Sequence, residues 1–169
     1  FALRKDGSIL AAFASGIALY HLRTKEREDL YAFEPELSTT RLNDGRVDRQ
    51  GRFVVGGIDE SDDGASISRV IRVNQDFSID TLLSDVACAN SICFSPDGKT
   101  MYFADTPKQT ILGYSYRDQG LGARFVLSQC HDGPGFPDGS TVDNEGYLWN
   151  AKWNGACVTR YSSKGKLDK

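Results

Sequence analysis

Asn43, Asn90 and Asp138 share one register of the sequence. Each lies eight residues before a glycine (Gly51, Gly98 and Gly146), and these glycines recur at intervals of 47 and then 48 residues. Together the three side chains offer two amide carbonyls and one carboxylate. Such hard oxygen donors suit calcium, magnesium or manganese better than a sulfur-seeking metal. A carboxylate at the same place can also take up and return a proton. Any one of these residues alone reads as a turn residue, because Asx side chains at strand entries accept nearby backbone amides. Three in one register, within repeats that differ at most other positions, read as a site. Arg41 stands two residues before Asn43 and, in an extended segment, on the same face. Its guanidinium is either a multiple donor to a hydroxyl-rich or anionic ligand or a solvated surface group.

The elements that must position these residues follow from the same repeat. Asn43-Asp44-Gly45-Arg46-Val47-Asp48 leads through Gly51 into the apolar run Phe53-Val54-Val55. Asn90 to Ser95 leads through Asp97-Gly98 into Met101-Tyr102-Phe103, and Asp138 to Asp143 leads through Gly146 into Tyr147-Leu148-Trp149. A weaker copy, Asp6-Gly7-Ser8-Ile9-Leu10, has its glycine 44 residues before Gly51, so its counterpart of Asn43 falls before Phe1. Short strands and turn signals at this period predict an all-β chain, a β-propeller with about four strands per blade. Blades surround an axis, so equivalent positions at the start of each innermost strand converge on one mouth of the channel.

The expected strands are 9–13, 16–22 and 29–33, then 44–48, 52–56, 67–73 and 79–83. Those of the third repeat open at Asn90 and continue over 100–104, 110–115 and 123–127. The last repeat supplies 140–143, with Asp138 at the mouth of that strand, then 147–151 and 156–161. No segment holds a 3.6-residue period over three turns, so helix is minimal. Asp44, Asp48, Asp97 and Asp143 read as turn residues, and Asp105 is left open between turn and site. His131 reads as a loop residue, since no nucleophile elbow accompanies it, and His21 reads as structural. Trp149 and Trp153 are expected to pack between blades. Residues 1–169 form one domain of about three to four blades. A propeller has four to eight, so the chain reads as part of a longer one, or as one completed by a second copy that covers its open edges.

Composition narrows the partners. Net charge is −3 and the basic residues are scattered, which excludes the basic stripe of a nucleic-acid or anionic-membrane binder. No apolar run reaches the length of a membrane helix, and no export signal is visible. Four cysteines, with no Cys-x-x-Cys pair, read as reduced structural thiols, which points to the cytoplasm.

At these residues the chain resembles the senescence-marker-protein/gluconolactonase family, the regucalcin-like six-bladed propellers. The motifs that carry the likeness are Arg41-Leu-Asn43-Asp-Gly-Arg-Val-Asp48, Ala89-Asn90-Ser-Ile-Cys-Phe-Ser-Pro-Asp-Gly98 and Phe136-Pro-Asp138-Gly-Ser-Thr-Val-Asp-Asn-Glu-Gly-Tyr-Leu-Trp149. The last runs on through Trp153-Asn154-Gly155 to Arg160-Tyr161. The resemblance implies one axial divalent ion, calcium first, with zinc, magnesium or manganese as alternatives. Residues matching Asn90 and Asp138 would ligate it, and those matching Arg41 and Asn43 would line the substrate pocket. The implied reaction is hydrolysis of a small sugar lactone, with the metal as Lewis acid and Asp138 as acid/base group. The family's first-blade glutamate would fall before Phe1 and has no counterpart here. The alternatives are a propeller that binds calcium or a sugar acid without turnover, and a chain that assembles with another copy of itself.

Overall fold

The computed structural model describes residues 1–169, and the chain is built of four antiparallel sheets in chain order. The first contains β1 (Ala2–Leu3), β2 (Ser8–Phe13), β3 (Gly16–His21) and β4 (Arg27–Ala32). The second contains β5 (Thr40–Val47), β6 (Phe53–Asp59), β7 (Ser68–Val73) and β8 (Ile79–Val86). The third contains β9 (Ala89–Phe94), β10 (Thr100–Asp105), β11 (Thr110–Arg117) and β12 (Gly120–Gln129). The fourth has three strands: β13 (Phe136–Val142), β14 (Leu148–Trp153) and β15 (Cys157–Tyr161). Each sheet is a simple meander, and the first strands of the later sheets, β5, β9 and β13, lie against one another. This is an arc of a β-propeller, with the three inner strands around its axis. A single 3-10 turn, Thr106–Lys108, is the only helical element. No helix is long and apolar enough to cross a membrane.

The middle strands read as nearly continuous apolar runs because both faces of an inner sheet are covered. Side chains alternate across a strand, and successive residues serve different interfaces. Phe53 and Val55 of β6 pack toward the first sheet with Leu10, Ile17 and Ile71, while Val54 packs toward the third with Ile92, Met101 and Phe103. One sheet on, Tyr102 and Ala104 turn to the fourth sheet and meet Leu148 and Tyr161. A one-residue slip would exchange these sets, so the apolar pattern specifies register throughout.

The repeated turns set the hairpin lengths. Gly51, Gly98 and Gly146 adopt φ of +79°, +69° and +83°, a region that glycine enters without steric penalty. Asp48 Oδ1 accepts the amides of Gln50 and Arg52, and Asp143 Oδ1 accepts those of Glu145 and Tyr147. Asp97 Oδ1 accepts the Lys99 amide.

Strand limits differ from the sequence-based expectation where the site lies. β5 begins at Thr40 and β13 at Phe136, so Arg41, Asn43 and Asp138 stand inside strands and not at their mouths. The reason is a bulge that interrupts the alternation from which strand limits are inferred. Pairing shifts between Leu42 and Gly45 in β5 and between Pro137 and Ser140 in β13. In the third sheet it shifts opposite the Asn90 to Cys93 stretch.

Asp48 also joins two blades. Its side chain, fully buried, accepts from Arg52 Nε at 2.6 Å and from the Tyr116 hydroxyl of β11 at 2.7 Å. Burial, and then this acceptor, hold the Tyr116 phenol well above its usual range. Removing one partner of a buried ionic network strands the others. Asp48→Ala should therefore lower the unfolding free energy by about 3 kcal/mol, read from the urea midpoint of the tyrosine and tryptophan fluorescence.

Candidate active site

A bulge puts two residues of one strand opposite one of its neighbour and re-aims their side chains. The bulged residues are Asn43–Asp44, Ser91–Ile92 directly after Asn90, and Asp138–Gly139. Asn43 and Asp138 are themselves bulged, and Asn90 is the last regularly paired residue before its bulge. All three polar side chains reach the axial side at one level. There a cleft of about 340 Å³ is lined by Arg41, Asn43, Asn90 and Asp138, together with Ile58, Cys88, Thr106 and Trp153. Every site residue expected from the sequence lies on this one cleft.

Each side chain is held in a different way. Asn90, buried, donates its amide nitrogen to Thr106 Oγ1 at 2.8 Å. That bond assigns the nitrogen and leaves the Asn90 carbonyl oxygen without a partner in the chain. Thr106 then donates to the Pro137 carbonyl at 2.9 Å, so one hydroxyl ties Asn90 to the residue before Asp138. Asp138 is gripped through its backbone carbonyl, which accepts from Ser91 Oγ at 2.7 Å and Asn150 Nδ2 at 3.0 Å. Asn150 is fully buried, and its two N–H groups are shared among that carbonyl and the hydroxyls of Ser91 and Ser140, 3.1 and 3.0 Å from Nδ2. The Asp138 carboxylate takes no hydrogen bond from the chain.

Asn43 is occupied at both ends. Its nitrogen donates to the Ala89 carbonyl at 3.0 Å, and its oxygen accepts from Arg41 Nη1 at 3.2 Å. Arg41 is also paired through Nε with Glu60 at 2.7 Å. Its Nη2 remains free, so the guanidinium is a positioned donor and not a loose surface charge.

The donor set fits a hard divalent cation in kind. Asn90 Oδ1 and the Asp138 carboxylate are both oxygen ligands, both without a partner in the chain, and both on the cleft. They supply two of the six to eight oxygens that calcium takes, the rest being left to water, ligand or other donors.

Several participants leave no signal of their role in the sequence. Asp44 reads there as a turn residue, but its Oδ2 accepts the Ile92 amide at 2.8 Å across the gap between the second and third sheets. Burial raises its pKa, against the pull of that amide and of Arg46. Only the bulge, which turns consecutive residues inward, distinguishes it from Asp48. Trp153, expected between blades, is instead 61% exposed and lines the cleft, because the next residues leave the sheet in a turn. Trp149 donates its indole N–H to Asp143 beside Arg160. All four cysteines are free thiols, but Cys88 is a cleft wall rather than a core residue, and burial raises its pKa. Asp105 is structural. Its carboxylate, paired with Lys108, accepts the amides of Ala87 and Cys88 and so holds the approach to β9.

Four sheets in an arc, with a carboxylate, two amides and a guanidinium converging on the axis, define a β-propeller with a polar axial pocket. Within that class the chain belongs to the SMP-30/Gluconolactonase/LRE-like family, whose model matches residues 1–169. An L-arabinolactonase of Azospirillum brasilense is 42% identical over 172 residues, which cover 98% of this chain and 56% of that protein. The pentonolactonase XacC of Haloferax volcanii is 31% identical over 96% of this chain and 55% of its own length. Among solved structures, the calcium-binding protein regucalcin of Agrobacterium tumefaciens superposes with a TM-score of 0.91 at 29% identity, over 99% of this chain and 57% of its own. The chain thus spans little more than half the length of these relatives.

The loop that carries Glu60 depends on Asp59. Its carboxylate accepts from the hydroxyls of Ser61 and then Thr39, and from the amides of Ser61 and Ala65, which hold its pKa down to about 2 from an ordinary 3.8. A depressed carboxyl pKa contributes stability that is fully present above the unfolded value and is lost as pH falls through the folded one. Between about pH 4 and pH 2 the loop should open and release Glu60 from Arg41. Faster hydrogen exchange at the Ser61 and Ala65 amides over that window, absent in Asp59→Asn, would show it.

Proposed function

We propose that the chain carries the inner-strand part of a divalent-metal-dependent sugar lactonase site. The observation that supports this most directly is the convergence of Asn90 and Asp138, each with a partnerless oxygen, on one cleft with Arg41 and Asn43. Membership of the family, and relatives named as lactonases of two different sugar acids, support the choice of a sugar lactone. Asn90 Oδ1 and the Asp138 carboxylate would hold the ion. When bound it supplies Lewis-acid polarisation of the lactone carbonyl and favours the charge that develops on its oxygen. Calcium is the first choice of metal on the oxygen donors.

The chain's own groups do the rest. Arg41 Nη2 orients the hydroxyls of the sugar ring against the cleft, Asn43 lines the pocket and holds that guanidinium in place, and Trp153 is an apolar wall. The Asp138 carboxylate accepts a proton from the attacking water as the new C–O bond forms. It returns that proton to the ring oxygen as the lactone C–O bond breaks, releasing the open hydroxy acid. Thr106 is a positioning residue. It keeps the Asn90 nitrogen turned away, so that the carbonyl oxygen faces the cleft, and it anchors the peptide in front of Asp138.

Lactone opening by the chain should be followed with and without added calcium, magnesium, manganese or zinc, against the spontaneous rate. Asp138→Ala should lose at least about 10²-fold in rate. Thr106→Val should raise the metal concentration needed for half-maximal rate by about tenfold, with Thr106→Ser close to wild type. If the folded wild type binds the ion but turns over no faster than buffer, a non-catalytic ion- or sugar-acid-binding propeller replaces the lactonase reading.

A further inference from the structure

Away from the axial cleft, the interface between the third and fourth sheets contains a polar pair that the proposed reaction does not use. Lys152 of β14 is 6% exposed, and Cys130, just after β12, is 4% exposed. Lys152 Nζ donates to Cys130 Sγ at 3.2 Å and lies 5.4 Å from the centroid of the Tyr161 ring. The same sulfur is 3.9 Å from the Tyr161 hydroxyl. Around them are Tyr102, Ile111, Leu127 and Leu148. A buried ammonium ordinarily requires an anion or a full set of acceptors. Here no carboxylate pairs with it, and a sulfur and a ring face are what the chain provides.

The pair is buried but shallow. Residues 131–134, immediately after Cys130, form an exposed turn, the segment that would have to move aside to admit an oxidant to the thiol. Nitrogen and sulfur are already in hydrogen-bond contact at 3.2 Å, and the lysine stem has the rotatable bonds to close the remaining distance to a covalent bond. We propose that Cys130 and Lys152 form an oxidation site at which a hydroperoxide creates a reversible sulfenamide cross-link between the third and fourth sheets.

The step balances with one hydroperoxide. The thiol sulfur attacks the O–O bond, which breaks to leave the sulfenic acid and one water, or one alcohol from an alkyl hydroperoxide. The lysine nitrogen, having given up its ammonium proton, then attacks that sulfur. The S–N bond forms, the S–O bond breaks, and the hydroxyl leaves as a second water with a proton from nitrogen. Sulfur is oxidised, the peroxide oxygens are reduced, and the chain loses two hydrogens in all. The product joins the end of β12 to β14 at the residue before Trp153, and so stiffens one wall of the cleft.

The test uses the folded chain treated with hydrogen peroxide, after which free thiols are alkylated in denaturant and the chain is cleaved at acidic residues and mapped by mass spectrometry. The expected result is a pair of peptides joined through Cys130 and Lys152, two hydrogens lighter than their sum and separated again by dithiothreitol. Lys152→Met should abolish the joined species and leave Cys130 trapped by dimedone or carried on to the sulfinic acid. Recovery of wild-type Cys130 as an alkylated thiol, as the sulfinic acid, or in a disulfide with Cys93 overturns the proposal. These outcomes are read on the wild type, so they stand even if the variant does not fold.

Discussion

The first strand of each of the last three sheets, β5, β9 and β13, has one edge with no strand to pair with, and that edge faces the axis. Its backbone groups are drawn out of bulk water by the neighbouring sheets, and an unpaired buried amide or carbonyl costs about as much as a lost hydrogen bond. Side chains from the adjacent inner strands satisfy them. Asn43 donates to the Ala89 carbonyl, Asp44 accepts from the Ile92 amide, Ser91 donates to the Asp138 carbonyl, and Arg46 donates to the Ser140 carbonyl. Polar side chains on the inner strands thus serve the fold before any ligand is considered. The bulge in β5 meets the same requirement by turning two consecutive polar residues, Asn43 and Asp44, inward.

A ring of polar groups built for this structural need is available to a ligand when some of its oxygens are left over. Asn43 uses both ends of its amide on the chain. Asn90 uses its nitrogen alone, and Asp138 is gripped through its carbonyl alone, so a hard amide oxygen and a carboxylate face the cleft from a rigid frame. The frame is rigid because the anchoring hydroxyls and amides (Ser91, Ser140 and Asn150) are themselves buried. Preorganisation of this kind lets an oxygen set bind an ion without first ordering its own side chains.

Two inter-sheet interfaces bury charge in opposite ways. Between the second and third sheets, Asp48 and Arg52 neutralise one another and Tyr116 completes the set. Between the third and fourth, Lys152 meets a thiol. The first arrangement is balanced and serves to join sheets; the second leaves a nucleophilic sulfur beside a nitrogen, which is chemistry held in reserve. Both lie within apolar clusters whose residues alternate along β6 and β10, so the hydrophobic pattern determines which polar groups meet.

Much was determined by the sequence alone. The turn glycines with their Asx partners, the apolar runs between them and the repeat interval specify strands, blades and register, because local turn geometry and two-sided burial act on neighbours in the chain. The shared register of Asn43, Asn90 and Asp138 even placed them in one cleft, since rotation about an axis converts equal height into proximity. Only the tertiary structure decided which of their atoms are free. It also brought Cys88, Thr106 and Trp153 to the cleft, turned Asp44 inward beside it, put Glu60 on Arg41 and set Lys152 against Cys130. These outcomes depend on bulges and on contacts between sheets, where partners are dozens of residues apart, and no periodicity along the chain records which side chain will meet which.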